Sequence, residues 1–363
     1  MYCIIPIFKD PNLHPLHKDN GLSALWCQPE SAEEPFFIIE QHPDSDKMME
    51  DYKWLNDYTI LTPDKKILNH FYKFDTVVDM NYLHWLNTGK PFENNIRNNA
   101  IDFLSNKFYN VKKLNEIIPL SKHNEYCNDI VKSMDNLIFD SKDEYMNDVV
   151  KAFTSIEKNG IKVSNDICDI FDIRVKKHIS NGKLYSNYNL WTTTGRPSNS
   201  FGSVNFAALP PEKRKAIVAE NDYLVEYDYD AYHLRIIAFL VGYHTFDENS
   251  VHEHLAKWYE CSYKESKQRS FQLLYGGIDK QTREKVPFFD LTHKFINNKW
   301  DEINKNKYIL TDIYRRRIVL ENYNDLNKSK LFNYLIQALE TELNVKKILL
   351  IQDYLLDKKT KLV

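Results

Sequence analysis

The 363-residue chain reads as a mixed α/β protein of two or three domains. Three observations predict that class. Short apolar runs such as FFIIE (Phe36–Glu40) have strand length, and longer segments such as Asp143–Lys158 repeat apolar residues at helical spacing. Polar turns and glycines separate the two kinds. A hydrophobic share of 43% with 27% charged residues excludes a disordered chain. No apolar run approaches the roughly 20 residues that span a bilayer, and MYCIIPIFKDPN lacks the features of a secretory signal. Five scattered cysteines without a close pair argue against a zinc site or disulfide framework and fit a reducing cytoplasm.

Residues 1–34 read as an irregular segment punctuated by Pro6, Pro11, Pro15 and Pro29. Residues 35–145 read as mixed α/β. FFIIE is a strand, a polar turn follows at His42–Ser45, and helices are expected near Asn69–Phe74 and Asn95–Phe108. Asp143–Lys158 is an amphipathic helix with Val149, Val150, Phe153 and Ile156 on one side, stopped by Gly160. Tyr223–Asp228 (YLVEYD) reads as a buried strand closing on an aspartate, followed by helices over Ala231–Val241, Ser262–Tyr275 and Asn324–Leu343. Ile348–Asp357, two apolar runs around a polar dipeptide, reads as a β-hairpin with Asp353 at its tip.

The net charge of −3 hides an asymmetry. From Lys257 onward there are 21 Lys plus Arg against 14 Asp plus Glu, a balance of +7 that leaves −10 on the first 256 residues. A basic last third suits a phosphate backbone, although uneven solvated charge alone has the same signature.

Two strand-borne carboxylates, Asp228 and Asp353, would converge if their strands were neighbours in one sheet. Such a pair suits Mg²⁺, which takes hard oxygen ligands, and two such ions serve phosphoryl transfer. Lys267, Phe271 and Tyr275 lie at i, i+4 and i+8, one stripe of a helix. The lysine suits a triphosphate and the rings suit a base or sugar; the competing reading is a core-facing amphipathic helix. Arg196, on a turn between Gly195 and Pro197, can grip phosphate or a groove edge. Arg315, Arg316 and Arg317 form a basic run. Asn333 and Gln337 share a helix face from which amides can read base edges.

Taken in order from about Ser155, these motifs resemble those of family A DNA polymerases. TTTGRPS (Thr192–Ser198) resembles the TGR motif and VNFAALP, with Asn205, the loop after it. DYDAYHLR (Asp228–Arg235) is similar to motif A, KQRSFQLLYG (Lys267–Gly276) to motif B and IQDYLL around Asp353 to motif C. Val251-His252 resembles a segment whose histidine helps bind phosphate. The resemblance implies a right-hand polymerase with palm (191–250 and 318–363), fingers (251–317) and a reduced thumb (146–190), preceded by a degenerate 3′–5′ exonuclease-like domain (35–145).

It further implies template-directed DNA synthesis on primer–template DNA with dNTPs, Asp228 and Asp353 holding two Mg²⁺ ions. His233, His252, Lys267, Phe271 and Tyr275 would bind the nucleotide. Arg196, Asn205, Arg315, Arg316, Arg317, Asn333 and Gln337 would bind DNA. The expected location is the cytoplasm, a host's if the chain is phage-encoded. The sequence departs from the family at His233, which stands where a glutamate excludes the ribose 2′-hydroxyl, so ribonucleotide use is a third reading. Gln352 and Tyr354 replace the usual neighbours of the second aspartate, and no DxE strand is present for exonuclease metals. The alternative is a DNA-binding replication subunit, or one half of a split polymerase that needs a processivity or complementary subunit.

Overall fold

The computed structural model describes residues 1–10, 13–31, 33–45, 52–90, 119–132, 143–164, 171, 173–199, 204–246 and 250–363. The chain divides into two compact units, one of Met1–Thr193, Pro197–Leu224 and Val345–Val363, the other of Thr194–Arg196 and Val225–Asn344. Among the described residues no helix is long and apolar enough to cross a membrane.

The first unit opens with a five-stranded sheet in the order β3-β2-β1-β4-β5. Its strands are β1 (Tyr2–Phe8), β2 (Leu22–Pro29), β3 (Phe36–Ile39), β4 (Ile60–Thr62) and β5 (Val77–Asp79). β1, β2 and β3 pair antiparallel, whereas β4 pairs parallel with β1 and with β5. The segment 1–34, expected to be irregular, therefore supplies the two longest strands of the sheet. Pro6 misled the reading because it lies inside β1, opposite Leu25. It is tolerated because β4 pairs with β1 only at Tyr2 and Cys3, so no ladder bond is lost on that side. Nearly every residue of both strands is buried, so neither shows the alternation of a half-exposed strand.

Helix α1 (Lys65–Phe71) links β4 to β5, its N-terminus capped by Asp64, whose side chain accepts from the Ile67 N–H. α2 (Met80–Thr88) follows β5 directly, capped by Asp79. After α3 (Leu120–Lys132), α4 (Glu144–Asn159) takes the expected amphipathic form: Asp143 caps it, and Val149 and Val150 are buried. Gly160 ends it at φ 56°, where a Cβ would stand 3.0 Å from the Tyr185 ring. The helix expected over Asn95–Phe108 lies outside the described residues.

The chain then forms β6 (Ile161–Lys162), the short helix α5 (Ile173–Lys176), β7 (Ile179–Ser180) and β8 (Lys183–Leu184), paired in the order β6-β8-β7. β9 (Tyr188–Asn189), β10 (Ser198–Asn199) and the one-turn helix α6 (Pro211–Arg214) complete this stretch.

The second unit is mainly helical: α7 (Tyr232–Val241), α8 (Val251–Tyr259), α9 (Tyr263–Gly276), α10 (Lys280–Lys285), α11 (Pro287–Asn306) and the first part of α12 (Lys328–Leu355). A hairpin of β11 (Tyr308–Leu310) and β12 (Arg317–Val319) precedes α12. Leu234, Ile237, Leu255, Phe288, Phe289 and Ile336 share its core.

Two expectations fail here. Tyr223–Asp228 is exposed chain that joins none of the strands among the described residues, its Tyr227 being 93% exposed. Apolar composition makes a strand possible, but a strand also needs a neighbour to complete its ladder. Ile348–Asp357 is not a hairpin, because α12 runs without interruption to Leu355. The whole of α12 contains neither Gly nor Pro, and its Leu, Lys, Glu and Gln favour helix. Two short apolar runs fit either period, and a turn pair such as Asn-Gly is missing between them.

Candidate functional site

A polar and aromatic cluster forms in the second unit around α9. A capping box starts the helix: the Ser262 hydroxyl accepts from the Glu265 N–H, and the Glu265 carboxylate accepts from the Ser262 N–H. One face is sealed by Ser266, Ser270, Leu273 and Leu274, with the Ser266 hydroxyl donating to the His252 carbonyl at 2.8 Å. The opposite face leaves Lys267 and Phe271 exposed and Tyr275 half-buried. The Phe271 and Tyr275 rings are nearly parallel, 6.3 Å apart and 11° from coplanar. The expected stripe is therefore exposed at Lys267 and Phe271, while Tyr275 packs in part against the core.

Two histidines border it. His252, in the first turn of α8, is buried between Tyr263 at 5.7 Å and Phe271 at 6.4 Å. Burial lowers its pKa, Lys267 adding to the effect and Asp230 opposing it. Its Nδ1 is a buried atom with no hydrogen-bond partner. His233, in the first turn of α7, binds on both ring nitrogens. Nδ1 meets the Tyr275 hydroxyl, and Nε2 lies 3.0 Å from Glu340 Oε2 on α12. Arg196 joins the same carboxylate with its Nε at 3.8 Å. Burial raises the Tyr275 pKa and Glu340 raises it further, while Arg196 opposes them. Arg196, His233, Tyr275, Lys267, Phe271 and His252 thus belong to one unit, four of them linked by direct bonds or ring contacts.

The other expected residues are placed differently. Asn333 and Gln337 share a face of α12, but the Gln337 amide donates to Asn333 Oδ1 at 2.9 Å. Arg315 and Arg317 are exposed, Arg317 lying over the Tyr308 ring at 4.8 Å. Arg316, expected to grip phosphate, is buried, and its Nε donates to the buried Glu342 at 2.7 Å. Only Arg317 belongs to β12; Arg315, at φ 56°, and Arg316 precede it, so the three side chains do not share one face. Asn205, in the first unit, caps the turn Phe206–Ala208 by accepting from the Ala208 N–H.

The two aspartates expected to hold metal do not lie on the strands the sequence predicted. Asp228 is exposed, and one oxygen accepts from the Tyr229 N–H at 2.8 Å. Asp353 belongs to the first unit, on α12, with one oxygen 3.6 Å from Lys151 Nζ. Convergence was argued from two neighbouring strands, and neither strand exists.

Among the described residues one group of three His, Cys, Asp or Glu donors lies within ligand reach, and it is elsewhere, in the first unit: His14, His70 and Glu157, within 4.8 Å of one another. Lys66 already occupies Glu157 at 2.6 Å, with His70 at 2.8 Å and the Tyr188 N–H at 2.6 Å. An ammonium sits where a cation would bind, and two imidazoles are poor ligands for Mg²⁺. These three residues do not fit a magnesium site. Sequence reading missed this cluster and Glu340 alike, since each joins residues distant in the chain with no motif between them.

The fold has a solved counterpart. The POL domain of Pol1 from M. smegmatis, in complex with DNA primer-template and dNTP, is similar with a TM-score of 0.63 and 14% identity, the match covering 98% of this chain and 85% of that one. No protein-family model matches the sequence, and no curated protein matches it. The chain has a polymerase-like fold.

Proposed function

We propose that this protein binds primer–template DNA and deoxynucleoside triphosphates and takes part in template-directed DNA synthesis. The observation that carries the proposal is the open face of α9, where Lys267, Phe271 and Tyr275 stand beside His252 and His233 in a chain of polymerase-like fold. Lys267 neutralises triphosphate charge. Phe271 and Tyr275 offer ring faces to a base or sugar, worth about 1–3 kcal/mol per stacked base. Arg196, Arg315 and Arg317 meet phosphates. Asp228 offers one oxygen ligand to magnesium. In this reading residues 251–317 act as fingers, 191–250 and 318–363 as palm and 146–190 as a reduced thumb. The N-terminal sheet is then a degenerate exonuclease-like domain that begins at residue 1 rather than 35.

Asp353 pairs with Lys151 at 3.6 Å on a helix rather than standing at the tip of a hairpin, which favours a second reading in which a complementary chain supplies a carboxylate. Primer extension by the isolated chain separates the two. Extension with dNTPs that Asp228→Asn abolishes supports an autonomous polymerase. Salt-sensitive binding of primer–template without incorporation supports the split arrangement. A chain that neither binds nor extends primer–template refutes both. Running dNTPs and rNTPs side by side tests whether His233 admits ribonucleotides.

A further inference from the structure

Glu340 appears in none of the motifs, yet it joins two of the residues assigned to the nucleotide and DNA. Its side chain is only 13% exposed, and a single oxygen, Oε2, receives both His233 Nε2 at 3.0 Å and Arg196 Nε at 3.8 Å. Burial pushes the Glu340 carboxyl pKa up, but His233 and Arg196 outweigh it and hold the group below the ordinary range. The carboxylate is therefore ionised at neutral pH and can only accept hydrogen bonds.

That fact propagates. Because the carboxylate accepts, the proton between Glu340 and His233 sits on Nε2, and in the tautomer this selects, a bare Nδ1 accepts from the Tyr275 hydroxyl. Tyr275 in turn lies parallel to Phe271 on the open face of α9. A carboxylate on α12 thus fixes a ring on α7, and that ring fixes a phenol at the far end of α9. Arg196 Nε approaches the same oxygen at 3.8 Å, an ion-pair rather than a hydrogen-bond distance.

We infer that Glu340 is the positioning residue of the nucleotide site: it sets the tautomer of His233, and through His233 the orientation of Tyr275, before a nucleoside triphosphate arrives. The inference rests on the proposed function and adds to it the device that organises the site.

Two variants separate positioning from charge. Glu340→Gln keeps an amide oxygen that can accept from Nε2–H, whereas Glu340→Ala removes the acceptor. The first readout is the long-range ¹H–¹⁵N spectrum of the His233 ring in the DNA-free protein. Wild type and Glu340→Gln should show the Nε2–H tautomer, and Glu340→Ala a mixture of both. The second is dNTP affinity of the primer–template complex, expected to fall about tenfold in Glu340→Ala and no more than about threefold in Glu340→Gln. Melting curves confirm that both variants fold. An unchanged ring spectrum in Glu340→Ala, or a Glu340→Gln variant as weak as Glu340→Ala, would overturn the inference. Wild-type protein that binds no dNTP would instead refute the functional reading, and the ring spectrum would still decide whether Glu340 holds the tautomer.

Discussion

Two glutamates, each joined to a histidine and a cationic side chain, anchor different regions of this molecule. In the first unit Glu157 is 1% exposed and accepts from Lys66, His70 and the Tyr188 N–H, while Lys66 makes a further bond to Asn187. In the second unit Glu340 is 13% exposed, its cation Arg196 is 57% exposed and the pair is 3.8 Å apart. The chemistry is alike; the accessibility is not. A network whose carboxylate and ammonium are buried against each other is closed to solvent, and this one joins α1, α4 and the chain at the start of β9. One whose cation reaches water can exchange its partner for a phosphate. Burial, rather than residue type, separates the structural cluster from the one proposed for function.

The largest expected effect tests the closed cluster. Lys66→Ala leaves the Glu157 carboxylate buried without its ammonium, which for buried pairs costs about 3–5 kcal/mol. Arg196→Ala removes an exposed partner and should cost at most about 1 kcal/mol, while weakening DNA binding. Urea unfolding of the two variants measures both. Similar losses of stability would break the comparison.

Acid sharpens it. Burial pushes His14 down from the ordinary 6.5 to about 3, with His70 also lowered by burial. Burial alone would raise Glu157, but Lys66 and His70 hold it at about 2. A histidine whose folded pKa is depressed favours the folded state above its unfolded pKa. That contribution drains away as pH falls from about 6.5 toward 3. Glu157 begins to lose its share only below the ordinary 4.5. Between pH 6.5 and 4.5 the loss from this cluster therefore belongs to the imidazoles, and His14→Gln should flatten unfolding free energy across that window. An equally steep curve in the variant would exclude His14 as a source.

Much of the architecture was legible where a local rule governs it. Gly160 and the apolar spacing of Val149 and Val150 announced α4, and the pattern over Ser262–Tyr275 announced α9. The stripe Lys267–Phe271–Tyr275 followed from helical spacing alone. What stayed hidden depended on neighbours the chain does not name locally. Pro6 suggested a break, yet it sits in a strand whose second neighbour stops at Cys3. Ile348–Leu355 suggested a hairpin because two apolar runs fit either period, and only the continuous helix behind them decided it. Glu340 was invisible because its meaning lies in His233 and Arg196, more than a hundred residues earlier.

The arginine triplet carries the smallest expected effect and the finest test of the rule that accessibility divides structure from function. Arg315 and Arg317 are exposed, Arg316 is bound to Glu342 inside the protein, and the three are consecutive. If phosphate contacts come from exposed cations, Arg315→Ala and Arg317→Ala should each lower the slope of log affinity against log salt by about 1. Their stabilities should stay within about 0.5 kcal/mol of wild type, Arg317→Ala losing slightly more because it leaves the Tyr308 ring. Salt titrations of primer–template binding by fluorescence anisotropy measure the slopes. Unchanged slopes in both variants would remove the hairpin from the DNA surface and leave Arg196 and Lys267 as the cations through which the site meets phosphate.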